Sequence, residues 1–377
     1  MESSSSSSDD DFVLNNQQIP LLHRSSTSSD SDNELIDQLV RRRRNPRVFR
    51  QRPDNFTMWS EQEFFIRFRL QKATVMSLLN EIEVHLLVDA NRNHAVSPRN
   101  QLLLALRFYA TGNMLIAVGD FSGVHKATAC RIIKRVTTAI ASLAATYISM
   151  PRNDQEMRNT QMEFHRIARF PKIIGAIDCT HVKNTITRYY FRNRKGYFSL
   201  NIQAIADSTL RILDVVARWP GSTHDQTIFN NSRIHARVEA GEFNNCIILG
   251  DSGYGLTKYL ITPLLHPTTR GEQLFNEAQI RSRNPVERLF GVWKRRFPVL
   301  SLGIRLSIDT TQAVVIACAV LQNIAIDRNE DQPPDDPNVV VPAFEPIEAH
   351  NIDNINEVQT VQIDFRQTFI AYFSEFN

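Results

Sequence analysis

Residues 172–178 read KIIGAID, an apolar run of Ile173, Ile174, Gly175, Ala176 and Ile177 closed by the carboxylate of Asp178. A short apolar run of this kind predicts a strand. A second run, 247–251 (IILGD), closes on Asp251 and is followed by the turn sequence Ser252-Gly253-Tyr254-Gly255. Two alternating stretches lie between them. Phe198, Leu200, Ile202 and Ala204 alternate with Ser199, Asn201 and Gln203; Leu213, Val215, Ala217 and Trp219 form the next, broken by Pro220-Gly221.

Strands one to three read as hairpins, and residues 225–229 as one or two helical turns in a crossover to strand four. That is the ribonuclease H-like order, in which the ends of strands one and four are neighbours. Asp178 and Asp251 then face each other across adjacent strand ends. A third acid, Glu287, sits in a basic amphipathic segment read as a helix over 284–297, after an irregular polar loop over 256–283. Each acid has a plain structural reading. Asp178 can cap a strand end and Asp251 can serve a glycine-rich bend. Glu287 can complete a capping box with Asn284, where Pro285 suits the first helical position. Together, in this order, they point to catalysis.

Gathered carboxylates repel unless a cation lies between them, and hard divalent ions such as Mg²⁺ or Mn²⁺ take oxygen ligands. Two such ions, ~4 Å apart, stabilise both the entering and the leaving oxygen of a phosphoryl transfer. On this expectation Asp178 and Asp251 hold an ion that generates the nucleophile. Asp178 and Glu287 share a second at the leaving 3′-oxygen. A 3′-hydroxyl in place of water gives strand transfer. Asp225 reads as an additional or outer metal ligand, or as an ordinary helix cap. His181 and His224 read as partners of a phosphate or ligating carboxylate, or as satisfied structural histidines. Cys179 reads as a small buried thiol.

Net charge over the 377 residues is +3, yet residues 41–326 hold 40 Lys and Arg against 21 Asp and Glu, between acidic ends. A basic core favours a polyanionic partner; the alternative is a solvated basic surface. Cys130, Cys179, Cys246 and Cys318 form no C-x-x-C pair, which argues against a zinc site and a disulfide scaffold and fits a reducing compartment. The polar N-terminus is no secretory signal, and 313–326 reads as a core helix rather than a membrane span.

The expected domains are 1–55 (a disordered Ser/Asp-rich tail plus an Arg-rich segment), 56–150 (helical), 151–326 (nuclease) and 327–377 (an acidic, mostly disordered tail). The arginines at 41–44, 47, 50 and 52 read as a nuclear-import signal, a nucleic-acid arm or a solvated charge run. Periodicity predicts helices over 60–88, from Ser97-Pro98, over 113–120 and over 126–140, with Phe121-Ser122-Gly123-Val124 as a turn. Short helix, glycine turn, helix is the helix-turn-helix pattern, though a plain bundle has the same periodicity. In the first case Lys126, Thr128 and Arg131 face a major groove, and Lys134 and Arg135 suit phosphates. Arg288, Lys294, Arg295 and Arg296, with Arg281 and Arg283, read as a stripe along the DNA backbone or as a solvated face. A helix over 309–326 closes the core. Near the end Ile363, Phe365, Phe369, Ile370 and Phe373 form a weak amphipathic segment that docks on something.

These residues resemble the transposases of the PIF/Harbinger superfamily and their domesticated nuclease relatives in animals. The matching segments are 103–134 (LLALRFYATGNMLIAVGDFSGVHKATACRIIK), 170–181 (FPKIIGAIDCTH), 196–229 (GYFSLNIQAIADSTLRILDVVARWPGSTHDQTIF), 250–255 (GDSGYG) and 283–297 (RNPVERLFGVWKRRF). The resemblance implies an α+β (α/β) chain: a ribonuclease H-like DDE nuclease domain behind an all-helical helix-turn-helix domain. It implies a divalent metal, DNA as substrate and a nuclear as well as cytoplasmic location. It matches the two D positions to Asp178 and Asp251 and the E to Glu287. It also implies a separate Myb/SANT-like DNA-binding partner. Self-association is a further expectation, and a membrane partner is not. Cys179 stands where many such transposases have glycine, and the tails match no segment of the family. The expected function is a metal-dependent DNA endonuclease of transposase origin; the alternative is a domesticated, catalytically silent DNA-binding or scaffold protein.

Overall fold

A computed structural model describes residues 52–87, 95–185, 198–243, 245–333 and 365–375. The serine-rich N-terminus, the arginine run at 41–50 and most of the acidic stretch after 333 lie outside them. Helix α1 (Glu61–Phe68) opens on a capping box: Ser60 Oγ accepts from the Glu63 N–H, and the Glu63 carboxylate accepts from the Ser60 N–H. Where the pattern predicts one helix over 60–88, the chain turns left-handed at Arg69 (φ 67°) and restarts as α2 (Lys72–Leu86). The break has a tertiary partner that apolar spacing cannot reveal. The Arg69 carbonyl accepts from Arg296 Nη1 at 3.0 Å.

Helix α3 (Pro98–Thr111) starts at the Ser97 cap and stops at Gly112, whose φ is +59°. A Cβ at Gly112 would also lie 3.2 Å from Val299 Cα, so both conformation and close approach require glycine there. Helix α4 (Leu115–Phe121), a turn through Gly123 (φ +64°) and α5 (Lys126–Ala141) follow. On α5, Ile132, Ile133, Val136 and Ile140 are buried, while Lys126, Arg131, Lys134 and Arg135 are exposed. Next come α6 (Ala144–Tyr147) and α7 (Asp154–Ala168). The sequence reading missed α7, a mostly polar helix that fully buries only Phe164, with Met157, Ile167 and Ala168 partly buried along the same side.

The strands are β1 (Ile173–Lys183), β2 (Ser199–Ala206) and β3 (Ile212–Pro220); after α8 (Asp225–Asn230) and α9 (Arg233–Glu239) come β4 (Ile247–Leu249) and β5 (Leu260–Ile261). They form one mixed sheet in the order β3-β2-β1-β4-β5. β1, β2 and β3 pair antiparallel, whereas β4 joins β1, and β5 joins β4, in parallel. β1 runs on past Asp178 to Lys183, so Asp178 lies within the strand opposite Ala204 rather than at its end.

Helix α10 (Arg270–Arg296) is 27 residues long and capped by a Thr269/Glu272 capping box. The expected start at Asn284 is therefore wrong, the irregular loop expected over 256–283 holds only as far as 269 and is interrupted by β5, and Glu287 caps nothing. Pro285 sits inside the helix, where its missing N–H removes one bond from the helical ladder. Burial of Pro285 with Val286, Leu289, Phe290 and Trp293 offsets that loss. After α11 (Val299–Leu302), α12 (Ile308–Asp327) packs against α5 and β3 as a core helix. Its polar Asn323 is fully used: Nδ2 donates to the carbonyls of Ile212 (2.7 Å) and Tyr147 (2.8 Å), and Oδ1 accepts from Ile212 N–H (2.9 Å). Helix α13 (Gln367–Ser374) lies on α10. One core joins the helical layer to the sheet through Phe64, Leu106, Ile133, Leu200, Trp293 and Val315. A second gathers Ile177, Ile205, Phe229 and Tyr254. A third, at the β4–β5 edge, gathers Phe170, Ile247, Phe275 and Phe373.

Candidate active site

Strand register brings the two aspartates together. β1 and β4 pair through Gly175↔Ile248 and Ala176↔Leu249, so Asp178 and Asp251, each two residues further on, follow on adjacent lines. β4 has ended by then, which opens that side of β1 at Asp178. Asp178 Oδ1 accepts from the Cys179 N–H at 2.7 Å, and Asp251 Oδ1 accepts from the Gly253 N–H at 3.0 Å.

Helix α10 is pinned across this opening. Residues 279, 283, 287 and 294 recur at helical spacing and share a face. Gln279 Nε2 donates to the Gly250 carbonyl at 2.7 Å, tying the helix to the end of β4. Lys294 Nζ donates to Thr180 Oγ1 at 2.5 Å and to the His181 carbonyl at 3.1 Å, tying it to β1. Between these anchors Arg283 reaches inward. Its Nη1 lies 3.3 Å from Asp178 Oδ2, and its Nη2 donates to Glu287 Oε1. Asp225, at the start of α8, accepts from Asn201 Nδ2 at 2.9 Å. A Cβ at Gly253 would touch both Asp251 and Asp225, so these two carboxylates flank one glycine.

The acids are short of positive charge. Burial pushes Asp178 up to about 7; Arg283 opposes this, while Asp251 and Asp225 add to it. Burial likewise raises Asp251 and Glu287, again against Arg283. Among the described residues, no three His, Cys, Asp or Glu side chains stand together as a ready metal cage. The chemistry of the set still fits a hard divalent ion: it is all carboxylate, and a guanidinium already stands in for a cation beside it.

Around the acids, Cys179 Sγ touches the Tyr254 hydroxyl (3.4 Å), and burial holds its thiol well above the usual range. Gln203 Nε2 donates to the Tyr254 hydroxyl (3.1 Å) and the Asp225 carbonyl (3.3 Å). His181 Nδ1 meets Ser199 Oγ at 3.2 Å, and His224 is the residue before α8. The stripe expected on α10 is split. Arg288 is exposed and Arg295 half-buried, but Lys294 and Arg296 face inward. Lys294 is 6% exposed and its ammonium is pushed down to about 8 by burial, and Arg296 Nη1 and Nη2 donate to the carbonyls of Arg69 and Asp331. Arg283 also leaves the stripe for the acids. Its position four residues before Glu287 was the sequence signal for that pair.

With the mixed sheet and the acids after β4, within β1 and on a crossing helix in place, the class is given by a family model described as DDE superfamily endonuclease, which matches residues 177–323. The chain is 33% identical over 247 residues to "Putative nuclease HARBI1" of Bos taurus, covering 64% of this chain and 70% of that protein. It is 32% identical to the Homo sapiens protein of the same name with the same coverage, and 29% identical over 269 residues to "Protein ALP1-like" of Arabidopsis thaliana, covering 66% and 65%. No solved structure matches it. The chain belongs to the Harbinger transposase-derived family of DDE superfamily endonucleases.

Proposed function

We propose that the protein is a divalent-metal-dependent DNA endonuclease of transposase origin. One observation supports this above the rest: Asp178 on β1 and Glu287 on α10 share one guanidinium, Arg283, and the β1–β4 register sets Asp251 on the line next to Asp178. The strand order β3-β2-β1-β4-β5 supports a ribonuclease H-like reading. In this reading Asp178, Asp251 and Glu287 hold Mg²⁺ or Mn²⁺ through carboxylate oxygens, with Asp225 as a fourth acid beside them. Ions bound there supply an activated water and neutralise charge on the phosphoryl group. The chain's own part is positional. Gln279 and Lys294 hold α10 against the strands, and Asn201 and Gln203 hold the start of α8. A 3′-hydroxyl as nucleophile converts the same arrangement to strand transfer.

The α4–turn–α5 unit serves in this reading as a helix-turn-helix, with Lys126, Thr128 and Arg131 toward bases and Lys134 and Arg135 toward phosphates. Arg288 and Arg295 extend the backbone contact. A nuclear and cytoplasmic location, a Myb/SANT-like partner and self-association complete the proposal.

The test is nicking of supercoiled plasmid in Mn²⁺. Asp178→Ala is expected to slow it by about two orders of magnitude or more. If wild type nicks no faster than the variant, across a range of DNA ends and with a DNA-binding partner supplied, the reading fails. The pairing of Arg283 with two of the acids favours a second reading, a silent DNA-binding scaffold. In that case Asp251→Asn leaves DNA affinity intact and no Mn²⁺ binding is measured.

A further inference from the structure

Both oxygens of Asp178 are already engaged. Oδ1 takes the Cys179 N–H at 2.7 Å and Oδ2 takes Arg283 at 3.3 Å, while Glu287 Oε1 takes the other arm of the same guanidinium. The first donor is backbone within a strand paired on its β2 side and cannot withdraw without unzipping β1. The second is a side chain and can. Arg283 is also desolvated, with only 11% of its side chain exposed, as are Asp178 (12%) and Glu287 (18%). A guanidinium spans two carboxylates with a rigid fork of donors and gives up hydration more readily than an ammonium. A divalent ion brought to the same oxygens would sit a few Å from that fixed positive charge, in a setting where water screens it poorly. Metal and guanidinium therefore exchange rather than coexist.

Resting on the metal-dependent reading above, we propose that Arg283 is a built-in counter-ion of the acid cluster that competes with the divalent metal for Asp178 and Glu287. In the metal-free protein it offsets the repulsion among the acids. Metal loading has to push it off, so it lowers metal affinity and makes loading a conformational step of one side chain on α10. Nearby positive charge also persists after release, because a side chain four residues from Glu287 on the same helix cannot go far.

The experiment is calorimetric titration of the full chain with MnCl₂ alone, at about pH 8, where carboxylates are ionised. Arg283→Gln is expected to bind Mn²⁺ about tenfold or more tightly than wild type, the scale on which one adjacent charge biases a carboxylate. Asp251→Asn in that background is expected to abolish the gain. Arg283→Lys keeps the charge but not the fork, so it is expected to gain about threefold; it carries the test if the glutamine variant fails to fold. If wild type binds Mn²⁺ in an Asp251-dependent way and both Arg283 variants bind equally or less tightly, the counter-ion role is overturned while the metal-dependent reading stands. If no form binds Mn²⁺, both fall together.

Discussion

Asp178 carries the largest upward displacement among the acids of the site, to about 7 from an ordinary value of 3.8. The folded protein then holds a proton there that the unfolded chain gives up near pH 4. Between those values the native state binds more protons, so its stability falls as pH rises through the window and levels off above about 7. In EDTA, the melting temperature is expected to decline from about pH 5 to about pH 8. Asp178→Asn, which cannot ionise, is expected to flatten that decline and to gain roughly 1–3 kcal/mol at neutral pH. Thermal melts of both forms across that range check it; a wild-type melting temperature that rises with pH contradicts it. At this scale the sequence was informative about the acids, because apolar runs closing on a carboxylate are visible in one dimension. It placed Arg283 in a basic stripe and could not show its partner Asp178, 105 residues away. It misread Lys294 and Arg296 because charge counts do not say which way a side chain faces.

Helix α10 shows where the reading of elements succeeded and failed. The second half was legible from its apolar positions, but the first, 270–283, is mostly polar and reads as loop even though Thr269 and Glu272 spell a capping box. β5 has only two residues, too few to alternate. The strand order was legible, since two hairpins and a crossover constrain it strongly. The buried and exposed arginines of α10 should behave differently. Arg296→Ala removes donors to the Arg69 and Asp331 carbonyls and is expected to cost about 3 kcal/mol, measured by chemical denaturation. Arg288→Ala, on the open face, is expected to stay within about 0.5 kcal/mol. Near its start α10 receives α13, whose Phe369 and Phe373 pack on Phe170 and whose Ser374 Oγ approaches Gly271 so closely that a Cβ there would collide with it. Gly271→Val is therefore expected to displace α13, seen as about tenfold faster cleavage of the C-terminal segment in limited proteolysis. Unchanged cleavage means that α13 is not held by this contact. The docking partner expected for the last amphipathic stretch is thus this chain itself.

For the molecule as a whole, the excess of 40 basic over 21 acidic residues in 41–326 was plain from composition, but its distribution was not. The fold spends several of these cations internally: Arg283 on acids, Lys294 on β1, and Arg296 on two carbonyls. What stays outward on α5 is Lys126, Arg131, Lys134 and Arg135. If this face carries the duplex contact, binding should follow counterion release, with log affinity falling linearly in log salt by about 0.9 for each phosphate contacted. Replacing Arg131 and Lys134 together by glutamate removes two such contacts and should lower the slope by about 2, weakening affinity alike for different sequences. Asp251→Asn, which changes the acid cluster and leaves α5 untouched, should keep the wild-type slope. Fluorescence anisotropy of a labelled duplex over a KCl series distinguishes these results. A double variant with the wild-type slope would move the DNA face away from α5 and toward α10, where Arg281 and Arg288 are exposed and Arg295 is half-buried.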